Sequence, residues 1–541
     1  MQNIKQSLIE EINKRVQDKI LEPANAELLK KLINNAESSE EAINIAALGT
    51  TYKRTGLHFD KRLEKMTDSI KYFKKNEELS FRADDAKPVN KLIIGDNYQA
   101  LQNLLIQYKG QIDVIYIDPP YGKDSMGEFA KTNYTNAITR DNLLSMLYPR
   151  LILAKQLLSD EGVIFCSIDD KNQAYVKCLF DEVFGEENFI ANLIIKSNPR
   201  GSMSTEEIAN LHEYLLCYTK NRIESNFVGL DLSDEMMEEY KLEDKKGKYR
   251  LLGLRMRGGF WRRSERPKLF FPIYVNPNTN EISLEKTKEF TKEVLPIQPS
   301  TNEDGTWRWS KEKILANAEM LIGKEVKRNE TTIWDIFQKD YLEREHGRKT
   351  KAKSIWDENE ENNQNGTVEV KNILGSTALF AFPKPKFLIQ KCIQLVTSNS
   401  KNKTILDFFA GSGTTGHAVL DLNKTDGGNR TFILCQINEK TEENPNGIAY
   451  DVTSKRLKRI MTGECYDGTK DFPWLKDNQP YGGNLDVYEI ESVANFENTP
   501  GKSPFDVIDE TLYGKEKFKT VKEKIDWVCS NFEKTQKELG E

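Results

Sequence analysis

The chain has 541 residues, 38% of them hydrophobic and 30% charged, which indicates a folded protein larger than one ordinary domain. No run of about 18 apolar residues occurs, and the charged N-terminus lacks an apolar signal core, so we expect neither a membrane span nor secretion. The net charge of −6 excludes a uniformly basic coat for nucleic acid, so any phosphate contacts must come from local patches.

The cysteines give no sign of disulfides or metal. All seven are scattered without a CxxC pair, several within apolar runs such as VIFCSI and FILCQI, and the four histidines are isolated. This pattern is typical of buried, reduced thiols. We therefore predict a cytoplasmic protein without a metal site.

The N-terminal region is predicted to be helical. Apolar residues recur every four positions from Ile4 to Ile20, and Pro23 then interrupts the pattern. Over residues 4–48 we favour a pair of packed helices, and a dimer contact is the alternative. The helical region is assigned to residues 1–84.

From about residue 90 short apolar runs alternate with helical patterns. KLIIGD and IDVIYID each end in an acid, a helical stretch and the strand-like GVIFCSI follow, and ANLIIK and YLLCYTK add two predicted strands. After a charged stretch without this alternation, LIQKCIQLVT is predicted as a helix and TILD and RTFILCQI as strands. Such alternation predicts a mostly parallel, doubly wound α/β sheet.

The interrupting stretch is too long for a loop, so it is predicted to be an inserted module. We expect an α/β core formed by residues 85–221 and 371–450, with residues 222–370 inserted between them. Residues 451–541 are charged, are predicted to be mostly helical and show no recognisable chemistry, although a role in dimerisation is open.

A glycine-rich loop, DFFAGSGTTG, follows the strand TILD and begins a predicted helix. Gly411 and Gly413 would allow a tight turn and a close backbone approach to a ligand. Glu439 lies 23 residues after Gly416, where nucleotide-binding βαβ units place a ribose-binding acid. Because the loop matches GxGxxG, a nicotinamide or flavin dinucleotide is an alternative ligand, and a helix start without a ligand is another.

The second loop, Asp118-Pro119-Pro120-Tyr121, directly follows the strand IDVIYI. Its two prolines fix the backbone and remove two N–H donors, which leaves carbonyls free to accept hydrogen bonds. An acid, a carbonyl and an aromatic ring are thereby held at the carboxyl end of a strand, where open α/β sheets bind ligands. Alone, the motif could also be a turn that merely ends a strand.

Together the two loops match the chemistry of amino-group methylation. The adenine amino group is a poor nucleophile and needs acceptors where positive charge develops, and Asp118 and the Pro119 carbonyl offer that pair. Tyr121 can stack on a base rotated out of the duplex. S-adenosylmethionine already carries an activated methyl group, so alignment suffices without a metal or a covalent cysteine.

The sequence resembles the amino-group DNA methyltransferases whose catalytic motif precedes the cofactor loop, the β arrangement. Within them it is most similar to the modification subunits of type III restriction–modification systems. The resemblance covers about 90–221 and 354–440, and its segments are LIIGDNYQALQNL, VIYIDPPYG, GVIFCSIDDKNQ, HEYLLCYTKN, FPKPK (382–386) and FFAGSGTTGHAV. One departure is Gly122-Lys123, where these subunits usually have Asn-Thr.

This resemblance implies a Rossmann-like, S-adenosylmethionine-dependent sheet with an inserted target-recognition module and helical termini. It implies adenine N6 in double-stranded DNA as the acceptor, because Asp rather than Ser precedes PPY. It also implies a homodimer with a separate restriction (helicase–nuclease) subunit, and no GxxxxGK[ST] loop is present in this chain. The residues placed at the target base are Asp118, Pro119, Pro120 and Tyr121, and those placed at the cofactor are Asp96, Lys384, Asp407, Phe409, Gly411, Gly413, Thr414 and Glu439.

A basic segment within the predicted module is the candidate DNA contact. Residues 245–268 hold ten Lys or Arg against one acid, and Phe260 and Trp261 lie among them. Such a concentration in an acidic protein indicates phosphate contacts, and a solvated charged loop is the alternative. The predicted DNA-binding residues are Arg255, Arg257, Trp261, Arg262 and Arg263.

Three functions remain open from the sequence. The first is an adenine-N6 methyltransferase of the type III modification kind, and the second is a stand-alone or type II adenine methyltransferase. The third is a DNA-recognition subunit that binds the cofactor without catalysis, which gives Asp118 and Tyr121 no purpose. A dinucleotide oxidoreductase ranks last because it leaves DPPY unexplained.

Overall fold

The computed structural model describes residues 2–17, 21, 23–48, 69–121, 139–201, 208–328, 331–343, 349–397 and 400–494. At the N-terminus three helices, not the predicted pair, pack around a small apolar core that includes Ile12 and Ile33. These helices are α1 (Gln2–Gln17), α2 (Pro23–Asn35) and α3 (Ser39–Leu48). None of the helices described is long and apolar enough to cross a membrane.

The remaining elements fall into three consecutive groups. The first is β1 (Ser69–Arg82), β2 (Val89–Ile94), α4 (Asn97–Tyr108), β3 (Ile112–Ile117), α5 (Thr139–Leu157), β4 (Leu158–Ile168), α6 (Gln173–Phe184), β5 (Phe189–Ile195) and β6 (Glu213–Thr219). The second is β7 (Leu230–Asp231), α7 (Asp234–Glu238), β8 (Leu242–Asp244), β9 (Gly247–Gly253), β10 (Ile273–Val275), β11 (Ile282–Ser283), β12 (Lys292–Val294), α8 (Lys311–Ala316), β13 (Leu321–Arg328), β14 (Thr331–Tyr341), β15 (Lys349–Thr350), β16 (Ile355–Trp356) and α9 (Asn363–Leu374). The third is α10 (Lys386–Thr397), β17 (Thr404–Asp407), α11 (Thr414–Asp426), β18 (Thr431–Gln436), a π-helical turn (Ala449–Ser454), α12 (Lys455–Thr462), α13 (Trp474–Asp477) and β19 (Asn484–Ala494).

The central sheet has the strand order β1-β19-β2-β18-β17-β3-β4-β6-β5-β16. Its strands from β19 to β4 are parallel, whereas β6 runs antiparallel to both β4 and β5. This arrangement confirms the predicted mostly parallel α/β sheet, which is Rossmann-like. Because parallel strands end at the same edge, the loops after β2, β3, β17 and β18 meet there.

Both faces of this sheet are buried, as a doubly wound fold requires. Along β3, Ile115 and Ile117 face an apolar layer shared with α4, α5 and α6, whereas Val114 and Tyr116 face a second layer shared with α10 and α11. This alternation follows from the two-residue period of a strand. It explains why IDVIYI is apolar at nearly every position.

Two predictions about the chain ends are wrong in part. Ser69–Arg82, assigned to the N-terminal helical region, forms β1, and Asn484–Ala494, assigned to a mostly helical tail, forms β19 between β1 and β2. Leu485 and Val487 pack in one apolar layer, whereas Tyr488 and Ile490 pack in the other, which is a strand period within a charged stretch. Residues 495–541 lie outside the described part of the chain.

The inserted module has its own apolar core, which contains Trp307, Ile273 and Ile336. Two small antiparallel sheets, β11-β10-β12 and β13-β14-β9-β8, surround it. The predicted boundary at residue 370 is wrong, because β16 pairs with β5 of the central sheet and α9 packs against α12. The chain therefore returns to the α/β core by Ile355.

Candidate active site

The two loops singled out in the sequence lie side by side. β3 and β17 are adjacent parallel strands, with Val114 opposite Ile405 and Ile115 opposite Leu406. The corner Asp118–Tyr121 after β3 and the glycine loop after β17 consequently line one cleft of about 710 Å³. The ends of β6 and β18 and the segment 378–384 complete its walls.

The DPPY corner is held by a network of polar side chains. The Tyr121 hydroxyl donates a short hydrogen bond to Asp118. The Lys384 ammonium donates to the Tyr121 hydroxyl at 2.9 Å and to Glu213 at 2.6 Å, and its Nζ lies 3.4 Å from Asp118 Oδ1. Behind the corner, the Asn172 side-chain amide donates to the Tyr121 carbonyl at 2.7 Å. The acid and the ring therefore enter the cleft already oriented.

Burial and the neighbouring charges together shift the pKa values of Asp118, Tyr121 and Lys384. Burial raises the pKa of Asp118, and the adjacent Lys384 ammonium opposes that rise. Burial also works against the charge of Lys384, but Asp118 and Glu213 outweigh it and raise its pKa, so the lysine stays protonated. Burial and Asp118 raise the pKa of Tyr121 well above its usual range, which keeps its hydroxyl a donor.

The glycine loop is shaped by its backbone. Gly411 and Gly413 have φ of +52° and +80°, and a Cβ on Gly411 would lie 2.9 Å from Cζ of Phe380. The Gly411 N–H donates to the Gln436 side chain at 2.6 Å, and its carbonyl accepts from the Thr453 hydroxyl at 2.6 Å. Only glycine satisfies both the conformation and the space at Gly411.

Asp407 supports this loop through hydrogen bonds and does not line the cleft. Its buried carboxylate accepts from the Phe409 N–H at 3.0 Å and from the Thr415 hydroxyl at 2.5 Å. Burial raises the pKa of Asp407 to about 7. The motif's acid thus fixes the shape of the turn.

The predicted cofactor residues divide into two groups. Phe409, Gly411, Glu439 and Lys384 line the cleft, and Lys384 does so from the DPPY side. Asp407, Gly413, Thr414 and Asp96 are not among the residues that line it. Asp96 caps α4 through the N–H groups of Tyr98 and Gln99 and pairs with Arg150 at 3.1 Å.

The cleft suits a ligand that is cationic and rich in hydrogen-bond donors. Its lining carries four carboxylates, of Asp118, Glu213, Glu439 and Glu443, and one ammonium, of Lys384. Three buried oxygens on the lining residues accept no hydrogen bond from the described residues, and they are Glu213 Oε1, Asn363 Oδ1 and Asn444 Oδ1. Since a buried acceptor without a donor is costly, such oxygens fit the ammonium, amino and hydroxyl groups of S-adenosylmethionine.

Sequence reasoning missed several residues of this site. Glu213 carried a weak signal, because an acid at the start of the apolar strand YLLCYT is unusual for a buried position. Gln436 and Asn444 carried none, since polar residues are ordinary at strand ends and in loops. Gly122 and Lys123, the departure from the family motif, lie outside the described residues.

The predicted DNA contacts are only partly available. Arg255 is buried, forms a close ion pair with Asp335 and donates to the Ile297 carbonyl at 2.5 Å, so the prediction for this residue is wrong. Arg257 and Arg262 are exposed, and the Arg262 guanidinium lies 5.2 Å from the partly buried Trp261 ring. Arg263 is also exposed and pairs with Asp304 at 2.8 Å. Among the residues described, no group of His, Cys, Asp and Glu could hold a metal ion.

Comparison with known proteins points to one class of enzyme. Residues 112–445 match the DNA methylase family N6_N4_Mtase, and residues 5–114 match an uncharacterised conserved family, UCP028340. The chain is 31% identical to the Mod subunit of the type III restriction–modification enzyme EcoPI of Escherichia phage P1, over 82% of this chain and 71% of that protein. It is 33% identical to the type II methyltransferase M.KpnI of Klebsiella pneumoniae, over 71% of this chain and 89% of that protein.

Two solved structures illustrate the likeness. One is the PvuII DNA methyltransferase (cytosine-N4-specific), at 12% identity and a TM-score of 0.34, over 71% of this chain and 95% of that one. The other is the M1.HpyAVI–SAM complex, at 13% identity and a TM-score of 0.30, over 68% of this chain and 98% of that one.

Proposed function

The chain belongs to the DNA methylase family, and from this premise we propose that it methylates adenine N6 in double-stranded DNA as the modification subunit of a type III restriction–modification system. The methyl donor of the family is S-adenosylmethionine, whose sulfonium supplies an activated methyl group. The observation that carries the proposal is the shared cleft, in which Asp118–Tyr121 and the glycine loop stand on adjacent strands.

In the proposed mechanism the chain's own groups hold and activate the target base. The Asp118 carboxylate and the Pro119 carbonyl accept the two hydrogens of the adenine amino group, which supports positive charge as the nitrogen attacks. The Tyr121 ring stacks on the extruded base. Lys384 opposes the rise in the pKa of Asp118 that burial causes, which favours the carboxylate that accepts the hydrogen bond and, after transfer, the released proton.

Adenine is proposed over cytosine N4 because an Asp precedes PPY and because relatives of the type III Mod kind match most of the chain. The alternative is a stand-alone or type II methyltransferase, which the similarity to M.KpnI favours. We also propose a cytoplasmic homodimer, a separate restriction subunit, and a DNA-contacting surface formed by Arg257, Trp261, Arg262 and Arg263 on the inserted module.

The proposal is tested by identifying the methylated nucleoside. Duplex DNA incubated with the protein and labelled S-adenosylmethionine should yield N6-methyldeoxyadenosine after digestion and mass spectrometry. Single-molecule sequencing of the same DNA should locate the mark within one short recurrent sequence. N4-methyldeoxycytidine would overturn the choice of base, and cofactor binding without any methyl transfer would favour a non-catalytic recognition subunit.

The type III assignment has its own test. A helicase–nuclease subunit encoded beside this chain should co-purify with it and cleave unmodified DNA in the presence of ATP. Full methylation with no such partner would favour the stand-alone or type II alternative.

A further inference from the structure

We propose that Arg456, which lies outside every motif found in the sequence, positions the glycine loop and thereby determines how tightly the chain binds S-adenosylmethionine. This side chain is fully buried on α12. Its Nη1 donates to the Ser412 hydroxyl at 2.9 Å and to the Thr414 hydroxyl at 2.9 Å, and it lies 3.4 Å from the Ser412 carbonyl. One nitrogen thus contacts the loop on both sides of Gly413.

The other end of the guanidinium is anchored in a buried network. Arg456 Nη2 donates to Glu369 at 2.8 Å and contacts His417 Nδ1 at 3.1 Å. Burial lowers the pKa of His417 well below its usual value, so the ring is neutral and its Nδ1 can accept from the arginine. His417 Nε2 then faces the Tyr481 hydroxyl at 3.1 Å, which donates to Asp421 at 2.7 Å.

The network ties the loop to several elements at once. Glu369 belongs to α9, His417 and Asp421 to α11, and Tyr481 to the segment before β19. Lys386 of α10 closes it, because its ammonium lies 3.4 Å from Glu369 and 3.2 Å from Asp421. The Arg456 side chain is therefore held in one conformation beside the loop.

A glycine-rich loop needs support from side chains elsewhere in the chain. Gly411 and Gly413 give the backbone its shape but contribute no side chain to hold it. The loop is consequently fixed from below by Asp407 and from the opposite side by Arg456. Phe409 and Gly411 of this loop form part of the cleft wall. If the loop is not already held in place, it must become ordered when S-adenosylmethionine binds, and that loss of entropy lowers the affinity for the cofactor.

The fork of an arginine is required for this geometry. The guanidinium spans from Glu369 and His417 to two loop hydroxyls, whereas the single ammonium of a lysine cannot reach both sides together. Arg456→Lys should therefore behave like Arg456→Met rather than rescue it.

A second buried arginine offers a matched control. Arg430 is almost fully buried, its Nε donates to the Thr397 hydroxyl at 2.7 Å and its Nη2 donates to Asp426 at 2.9 Å. It precedes β18, at the end of that strand opposite to the cleft. Arg430→Met therefore removes a comparable buried network without touching the loop.

The experiment compares Arg456→Met, Arg456→Lys and Arg430→Met in the full chain. Calorimetric titration of S-adenosylmethionine, without DNA, should show a dissociation constant about tenfold or more higher in both Arg456 variants, as expected for lost supporting contacts. In the cofactor-free proteins, hydrogen exchange of the amides in residues 411–415 should accelerate in the same variants. Arg430→Met should lower the melting temperature and leave both quantities unchanged.

Two outcomes would overturn the proposal. One is an unchanged dissociation constant in folded Arg456→Met, and the other is an equal rise in Arg430→Met. If Arg456→Met does not fold, Glu369→Gln tests the same contact, because it removes the carboxylate that anchors the guanidinium. The dissociation constant of S-adenosylmethionine should then rise by a smaller factor, and an unchanged constant would contradict the proposal. Since binding is measured without DNA, the result is independent of which base the enzyme methylates.

Discussion

The central sheet and the inserted module differ in how they use their charged residues. At the cleft, Lys384 lies between two carboxylates, 2.6 Å from Glu213 and 3.4 Å from Asp118, and both acids lie at strand ends of the central sheet. On the module, Arg257 and Arg262 are exposed at the surface, whereas Arg255, only two residues away from Arg257, is buried in an ion pair.

The difference shows what a sequence motif can and cannot locate. In a parallel sheet the strand end fixes the position of the next residue, so a motif after an apolar run predicts a site. In the module a run of basic residues crosses from strand to loop, and its side chains point to the core and to solvent in turn. Each prediction below tests one side of this contrast.

The largest effect is expected from Asp118→Ala. Removing the carboxylate takes away one of two acceptors for the amino group, so methyl transfer should slow by roughly 10²–10³-fold, the cost of one preorganised transition-state contact. The dissociation constant of S-adenosylmethionine should stay within about twofold. Asp113→Ala is the control, because Asp113 lies on the same strand but pairs with Lys403 at the far end. Normal turnover in Asp118→Ala would remove the proposed role of the corner.

A smaller effect, and one that depends on pH, is expected from Lys384→Met. The ammonium lowers the pKa of Asp118 against the effect of burial, so without it this pKa rises further. Since the ionised carboxylate is the active form, activity should be lost at a higher pH as the solution is acidified, so the acid limb of the pH profile should move to higher pH. Lys391→Met is the control, because that buried lysine pairs with Glu361 and does not contact Asp118. An unmoved acid limb would show that Lys384 does not set the charge of Asp118.

The smallest effects are expected on the module. Arg257→Ala and Arg262→Ala should each reduce the slope of log affinity for DNA against log salt by about 1, because each removes one phosphate contact. Arg255→Ala should leave that slope unchanged but lower the free energy of unfolding by about 3–5 kcal/mol, because the buried Asp335 carboxylate loses the guanidinium that pairs with its charge. Binding titrations at several salt concentrations and thermal unfolding separate the two results. A full salt slope in both surface variants would exclude this face as the DNA contact.

Much of the core could be predicted because its signals are local. The strands around Asp118 and Asp407 follow from apolar runs that end in an acid, and their pairing side by side follows from the rules of doubly wound sheets. The roles of Asp407 and Thr414 could not be assigned in the same way. Both belong to the cofactor motif, yet both support the turn from outside the cleft.

The missed features depend on contacts between distant parts of the chain. Glu213 matters because β6 lies beside β4, and Arg456 because α12 packs behind the glycine loop. Neither neighbour can be inferred from spacing along the sequence. β1 and β19 were missed for a related reason, because their many charges hide a two-residue period that becomes meaningful only once the strands pair.

The position of β19 has a consequence for how the protein comes to its native state. This strand fills the place between β1 and β2, and Val89 pairs there with Asn484, almost 400 positions later. Contacts of such long range are slow to form, and during synthesis β2 keeps at least one unpaired edge until residues 484–494 have left the ribosome, because its other neighbour, β18, also comes late in the chain. Until then the nascent chain exposes the unpaired backbone of an apolar strand, which is a template for aggregation. We therefore expect this segment to be bound by molecular chaperones during synthesis.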